Sequence, residues 1–136
     1  MRRTLPASRS AVWVAITDPD QLARWWGPKG FSVPELDFRP ETGRGYRIAM
    51  QPPEGELFHL SGEFRDVEPP SRLAYTFVWD PPDADDRETL VVLSLDDRGD
   101  QTEVNLSQGE FATQDRLELH DGGWSDSFEK LEQLLS

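Results

Sequence analysis

From Phe31 onward the chain alternates bulky apolar and polar residues with a period of two, and its final segment switches to a helical period. Tyr46, Ile48 and Met50 alternate with Arg47, Ala49 and Gln51. Tyr75, Phe77 and Trp79 follow the same rule after Pro69-Pro70-Ser71, as do Val91, Leu93 and Leu95, then Val104 and Leu106. Side chains two apart on a strand share a face, so each segment offers one heavy face to a core. Turn clusters separate the segments: Pro40-Glu41-Thr42-Gly43, Pro52-Pro53-Glu54-Gly55, Asp80-Pro81-Pro82-Asp83 and Asp96-Asp97-Arg98-Gly99-Asp100. Short connections of this kind make hairpins, so the sheet is antiparallel. Its apolar face needs a cover, and Trp124, Phe128, Leu131 and Leu135 form one stripe at helical spacing to supply it. The pattern predicts a helix from Thr113 to Leu135 lying in a curved sheet.

The start of the chain reads as a stub of strand at residues 2–5 and two short helices. Ser8 can cap a helix carrying Val12, Trp13 and Ile16 on one face. Asp18 can cap the next, with Pro19 at the first helical position and Gln21 at the capping-box position. Gly27-Pro28 ends that helix just after Trp25-Trp26. Of these two rings, at least one is expected under the sheet edge and the other partly exposed. With no repeat and no linker, residues 1–136 form a single α+β domain.

Composition excludes several function classes. Fourteen Lys and Arg against 26 Asp and Glu give a net charge of −12. Such a chain lacks the cations that bind nucleic acid or an anionic membrane surface. It has no cysteine, which removes thiolate metal sites and thiol nucleophiles. No apolar run follows Arg2-Arg3 to form a signal peptide, and no stretch approaches the ~20 apolar residues of a membrane span. The expected location is the cytoplasm.

The segments resemble the activator of Hsp90 ATPase homologue 1-like family, within the START-like (SRPBCC, or helix-grip) superfamily. The residues that carry the resemblance are Val12-Trp13, Thr17-Asp18-Pro19 through Trp25-Trp26-Gly27-Pro28, Gly45-Tyr46, Gly62 with Phe64, and Pro69-Pro70 with Arg72-Leu73. The Phe77-Val78-Trp79 strand, Thr89-Leu90-Val91, and His120 with Gly123-Trp124 complete it. Two departures stand out. The first strand is clipped, and Ser107-Gln108-Gly109 stands before Phe111 where relatives often carry His. The resemblance implies a hydrophobic cavity between the long helix and the sheet, used across the superfamily to hold lipids, polyketides or other apolar molecules. It also implies two alternatives: a co-chaperone-like or stress-response domain docking on a protein, and a cyclase- or hydrolase-like enzyme using the same cavity.

On the assigned faces, Tyr46, Tyr75, Phe77, Trp79, His120 and Trp124 are the expected ligand-binding residues. Bulky rings also fill cores, so each position has a purely structural alternative. Gly122-Gly123 inside a helix costs about 1 kcal/mol per residue relative to Ala, which calls for close packing, a gap over the cavity or a kink. A histidine can act as acid or base near neutral pH, yet Asp121 does not face His120 on a helix. His59 and His120 lack the spacing of a metal site, and the acids at 83–86 and 96–97 lie in turn clusters where solvation is the default. No nucleophile elbow or phosphate loop is present. The reading is therefore a binder of an apolar small molecule, with no catalytic residue, no metal and no cofactor, and with the acidic surface as a possible protein-docking face.

Overall fold

A computed structural model describes all residues 1–136. Ser8 opens helix α1 (Arg9–Thr17), its hydroxyl accepting from the Ala11 N–H. Asp18 then opens α2 (Pro19–Trp25) by accepting from the Gln21 N–H, with Pro19 where a missing donor costs nothing. The Trp25 indole donates to the Ala15 carbonyl at 2.8 Å and ties α2 to α1. Trp25 and Trp26 are 1% and 4% exposed, so both rings are buried and the partial exposure expected for one of them is corrected. The physical reason is that Trp26 meets Trp124 of the last helix edge-on at 5.3 Å, a partner a hundred residues away.

The strands are β1 (Arg2–Leu5), β2 (Leu36–Asp37), β3 (Gly45–Met50), β4 (Phe58–Glu68), β5 (Arg72–Asp80), β6 (Thr89–Arg98) and β7 (Gln101–Gly109). They form one seven-stranded sheet in the order β1-β7-β6-β5-β4-β3-β2, antiparallel at every pair. The clipped β1 pairs with β7 and closes one edge. Helix α3 (Gln114–Leu135), capped by the Thr113 hydroxyl, buries His120, Trp124, Ser127, Phe128 and Leu131 on the face expected from its stripe. Three helices and one antiparallel sheet give the α+β helix-grip arrangement that the resemblance implies.

At one end of the covered face the core is solid. Phe38, just past β2, wedges its ring against Phe64, Tyr46 and Tyr75 at centroid distances of 5.0, 5.3 and 6.0 Å, all near edge-to-face. Here the β4–β5 ladder opens. Tyr46 lies opposite Gly62 on β4, and its hydroxyl passes over that glycine to donate to the Thr76 carbonyl of β5 at 2.6 Å. The Thr76 hydroxyl in turn accepts from the Glu63 N–H at 2.9 Å. Side-chain groups thus replace ladder bonds just before the register shift between Phe64 and Asp66. A Cβ at residue 62 would collide with the Thr76 carbonyl and with the Tyr46 ring, so only glycine fits.

Two substitutions test this crossing. Tyr46→Phe leaves a buried carbonyl without its donor and is expected to lower stability by about 1–3 kcal/mol. Gly62→Ala is expected to cost more, because backbone must move rather than a flexible side chain. Urea unfolding monitored by tryptophan fluorescence reads both, and a Gly62→Ala protein as stable as wild type would show that the strands are not crossed in this way.

Candidate functional site

Along the same face, past Tyr75, the packing gives way to a cavity of about 390 Å³. Periodicity explains both halves. Tyr75, Phe77 and Trp79 share one face of β5, but only Phe77 and Trp79 reach the end where no wedge like Phe38 fills the space. The floor is Phe77 and Trp79 with Phe58 of β4 and Met50 of β3, and the roof is His120, Gly123, Trp124 and Ser127 of α3. Of the expected binding residues, Phe77, Trp79, His120 and Trp124 line this space. Tyr46 and Tyr75 do not, and their assignment is corrected: both lie in the solid half of the core. Burial there pushes both phenols above their ordinary range.

Two loops form the side walls, and each is fastened to α3. The segment after α2 contributes Trp26, Gly27, Pro28 and Phe31. Ser127 Oγ lies 3.1 Å from the Gly27 carbonyl, Lys130 Nζ donates to the carbonyls of Trp26 and Pro28, and Lys29 pairs with Glu129 at 2.6 Å. The opposite wall is the β5–β6 loop, with Pro81, Asp83 and Asp86. Arg116 of α3 reaches Asp83 at 3.0 Å and Asp86 at 3.4 Å, while Asp86 also accepts from the Asp83 N–H at 2.7 Å. Arg87 holds the loop's far end through the carbonyls of Glu110 and Phe111, both at 2.7 Å. The Asp86 side chain is only 7% exposed, so the expectation of solvated turn acids is corrected at this position. A partly buried carboxylate is stabilised here by the guanidinium, at a separation of 30 residues that no local pattern reveals. The mouth opens to solvent between Leu119, which is 60% exposed, and the exposed Pro81 and Asp83.

Polar groups in the cavity are few and mostly committed. Trp124 donates its indole N–H to Gln108 Oε1 at 2.8 Å, and Gln108 Nε2 donates to Thr89 Oγ1 at 2.8 Å. Gln108 thereby seats the tryptophan. Trp79 donates its indole N–H to His120 Nε2 at 3.1 Å. An indole nitrogen only donates, so Nε2 is bare and the imidazole proton sits on Nδ1. The His120 ring is further held by Phe111, Phe77 and Trp79 at centroid distances of 4.7, 5.4 and 5.5 Å.

Burial lowers the His120 pKa from 6.5 to about 4; Asp86 opposes the shift and Arg116 adds to it. The imidazole is neutral at neutral pH. The unfolded chain takes up a proton at this residue near 6.5, whereas the folded protein does so only near 4. Stability at His120 is therefore full above that window and is lost as pH falls through it. Wild type is expected to lose urea stability between pH 7 and 5 more steeply than His120→Phe; equal slopes would show that the imidazole titrates normally.

The glycine pair has two different settings. Gly123 faces the cavity, where a Cβ would stand in ordinary contact with Pro28, 3.8 Å away, and Gly122 has nothing within 4 Å. The helix runs unbroken through both. Close packing therefore does not require Gly122. Gly122→Ala is expected to raise stability by up to about 1 kcal/mol in urea unfolding, the helix-propensity difference; a loss would mean that the site is tighter than its geometry.

The family model for activator of Hsp90 ATPase homolog 1-like proteins matches residues 6–136. The chain belongs to this family. Among solved structures, the AHSA1 protein of Silicibacter pomeroyi is 27% identical, with a TM-score of 0.85 over 99% of this chain and 96% of that one. A Rhodobacter sphaeroides protein is also 27% identical, with a TM-score of 0.84 over 99% and 89%. A Chromobacterium violaceum protein, 23% identical with a TM-score of 0.85 over 99% and 94%, shares the fold. No curated protein matches the sequence. Membership supports a ligand-binding or co-chaperone-like domain and specifies no substrate. No helix is long and apolar enough to cross a membrane.

Proposed function

We propose that the protein binds an apolar small molecule in the cavity between α3 and the sheet. One observation carries this reading. The space of about 390 Å³ is walled by aromatic rings from four separate parts of the chain, with two of its indole N–H groups held in fixed hydrogen bonds. Pockets of roughly 300–1,000 Å³ with apolar walls and a few oriented polar groups are the usual form of small-molecule sites. The ligand-binding residues of this reading are Phe77, Trp79, His120 and Trp124, joined by Trp26, Phe31, Met50 and Phe58. Enclosure and desolvation do the binding, and the reading includes no catalytic residue and no cofactor.

The co-chaperone-like alternative requires a free acidic face. Asp83 and Asp86 are taken up by Arg116, and Asp97 accepts from the Gly99 N–H, which draws part of each acidic cluster into local structure. The enzyme alternative requires a polar pair deep in the pocket; the histidine there is spoken for by an indole. The cavity reading is favoured over both. Its setting is the cytoplasm expected from the composition.

Five indole N–H signals report on this reading. In two-dimensional NMR titrations with pooled fatty acids, sterols, flavonoids and aromatic polyketides, saturable shifts are expected at Trp26, Trp79 and Trp124. Trp13 and Trp25, which do not line the cavity, serve as internal controls. Gly123→Leu places a side chain in the space and is expected to weaken binding about tenfold or more, a loss of at least ~1.4 kcal/mol. Indoles that stay silent with every pool would remove the cavity reading.

A further inference from the structure

The cavity's hydrogen-bond donors can be counted one by one, and the count narrows the ligand. The Trp124 indole N–H is given to Gln108, and the Trp79 indole N–H to His120. Ser127 Oγ stands within hydrogen-bond distance of the carbonyls of Gly27 and Gly123, so its proton is used. Arg116 at the mouth is engaged by two carboxylates. Beside the Trp26 indole, one donor remains. The bond from Trp79 leaves the imidazole proton of His120 on Nδ1, and Nδ1 donates to nothing in the protein. His120 is only 9% exposed, yet no fully buried side-chain nitrogen or oxygen is left unpaired, so Nδ1 keeps accessible surface on a residue that lines the cavity. The ring around it is clamped by Phe77, Trp79 and Phe111, so the direction of this N–H is set before anything binds.

The charge at the mouth narrows the ligand from the other side. Asp83 and Asp86 outnumber Arg116 there, and Arg87 of the same loop is turned to the carbonyls of Glu110 and Phe111. A carboxylate passing this rim meets like charge, and inside it finds apolar walls and no free cation to offset its desolvation. A neutral oxygen acceptor meets neither obstacle.

We infer that the cavity is built for an uncharged, largely flat apolar molecule carrying a carbonyl-type oxygen, and that His120 Nδ1–H receives that oxygen. Trp79 is then a positioning residue as well as a wall: its indole fixes the tautomer that makes His120 a donor toward the ligand. Ketone, quinone and lactone groups on ring systems fit this description, whereas free fatty acids do not. This assignment rests on the cavity-binding reading above.

The test uses three probes with one ring system substituted at the same carbon: acetylnaphthalene, isopropylnaphthalene and naphthoate. Each is titrated into the full chain and read at the five indoles by NMR. The ketone is expected to bind about tenfold tighter than the hydrocarbon, as one well-placed buried hydrogen bond allows, and naphthoate to bind weakest. In His120→Phe the ketone is expected to fall to within about twofold of the hydrocarbon, the ring volume being kept and the donor lost. Wild type provides an independent readout: the Nδ1 nitrogen and proton resonances of His120 shift on adding the ketone and not on adding the hydrocarbon. Hydrocarbon binding as tight as ketone, a ketone preference that survives in His120→Phe, or an unmoved Nδ1 resonance overturns the assignment while leaving cavity binding intact. Silence of all indoles with all three probes overturns the cavity reading and this assignment together.

Discussion

Everything about the site depends on how Trp124 is seated. Its indole N–H is anchored on Gln108 of β7, its ring stands edge-on to Trp26, and Phe128 follows it one turn later. A helix with one apolar stripe would settle flat on the sheet if its side chains allowed it. Here Trp124, tied to β7 by a hydrogen bond, stands beside Trp26 in the cavity wall. Leu131 and Phe128, fully buried, draw the second half down. The cavity lies on the Trp124 side of this stripe, lined by His120, Gly123, Trp124 and Ser127.

The loops complete this arrangement by electrostatics and backbone hydrogen bonds rather than by apolar area. Exposed ion pairs are worth little, typically about 0–1 kcal/mol. Those holding the β5–β6 loop differ in that Arg116 is shared between two acids and Asp86 is largely removed from solvent. Each wall is thus attached to a different stretch of one helix, and the polar atoms that fasten the walls are not available to a ligand. The polar chemistry left over is spare, with the His120 imidazole and the Trp26 indole as the unpartnered side-chain donors.

Much of this was legible in the residues. Ser8, and Asp18 with Pro19, marked two helix starts because capping is a local interaction between neighbours in sequence. Alternation in Tyr75-Phe77-Trp79 identified the face that looks inward. It did not reveal how far along the face the solid core extends, so Tyr46 and Tyr75 looked like cavity walls. What decides this is Phe38, a ring delivered from a two-residue strand at the opposite sheet edge. The same limit hid the Arg116 pairs and the second buried tryptophan, since their partners lie 30 to 100 residues away and obey no period. Trp124 was placed by the helical stripe and His120 by standing one turn before it, whereas the indole-to-imidazole bond that gives His120 its tautomer was not readable from spacing.

The crossing of Tyr46 over Gly62 has a consequence for how such a chain can drift. The Thr76 carbonyl and the tyrosine ring together occupy the place that a side chain at residue 62 would fill, and that carbonyl depends on the hydroxyl the tyrosine brings. Neither residue is free to vary alone. A larger residue at 62 demands a smaller one at 46 and a restored ladder bond to Thr76, three changes on three strands that are neutral only in concert. Descendants of this sequence should therefore inherit the pair as one unit, and a lineage that lost it would have had to rebuild the β3–β4–β5 seam in a single move.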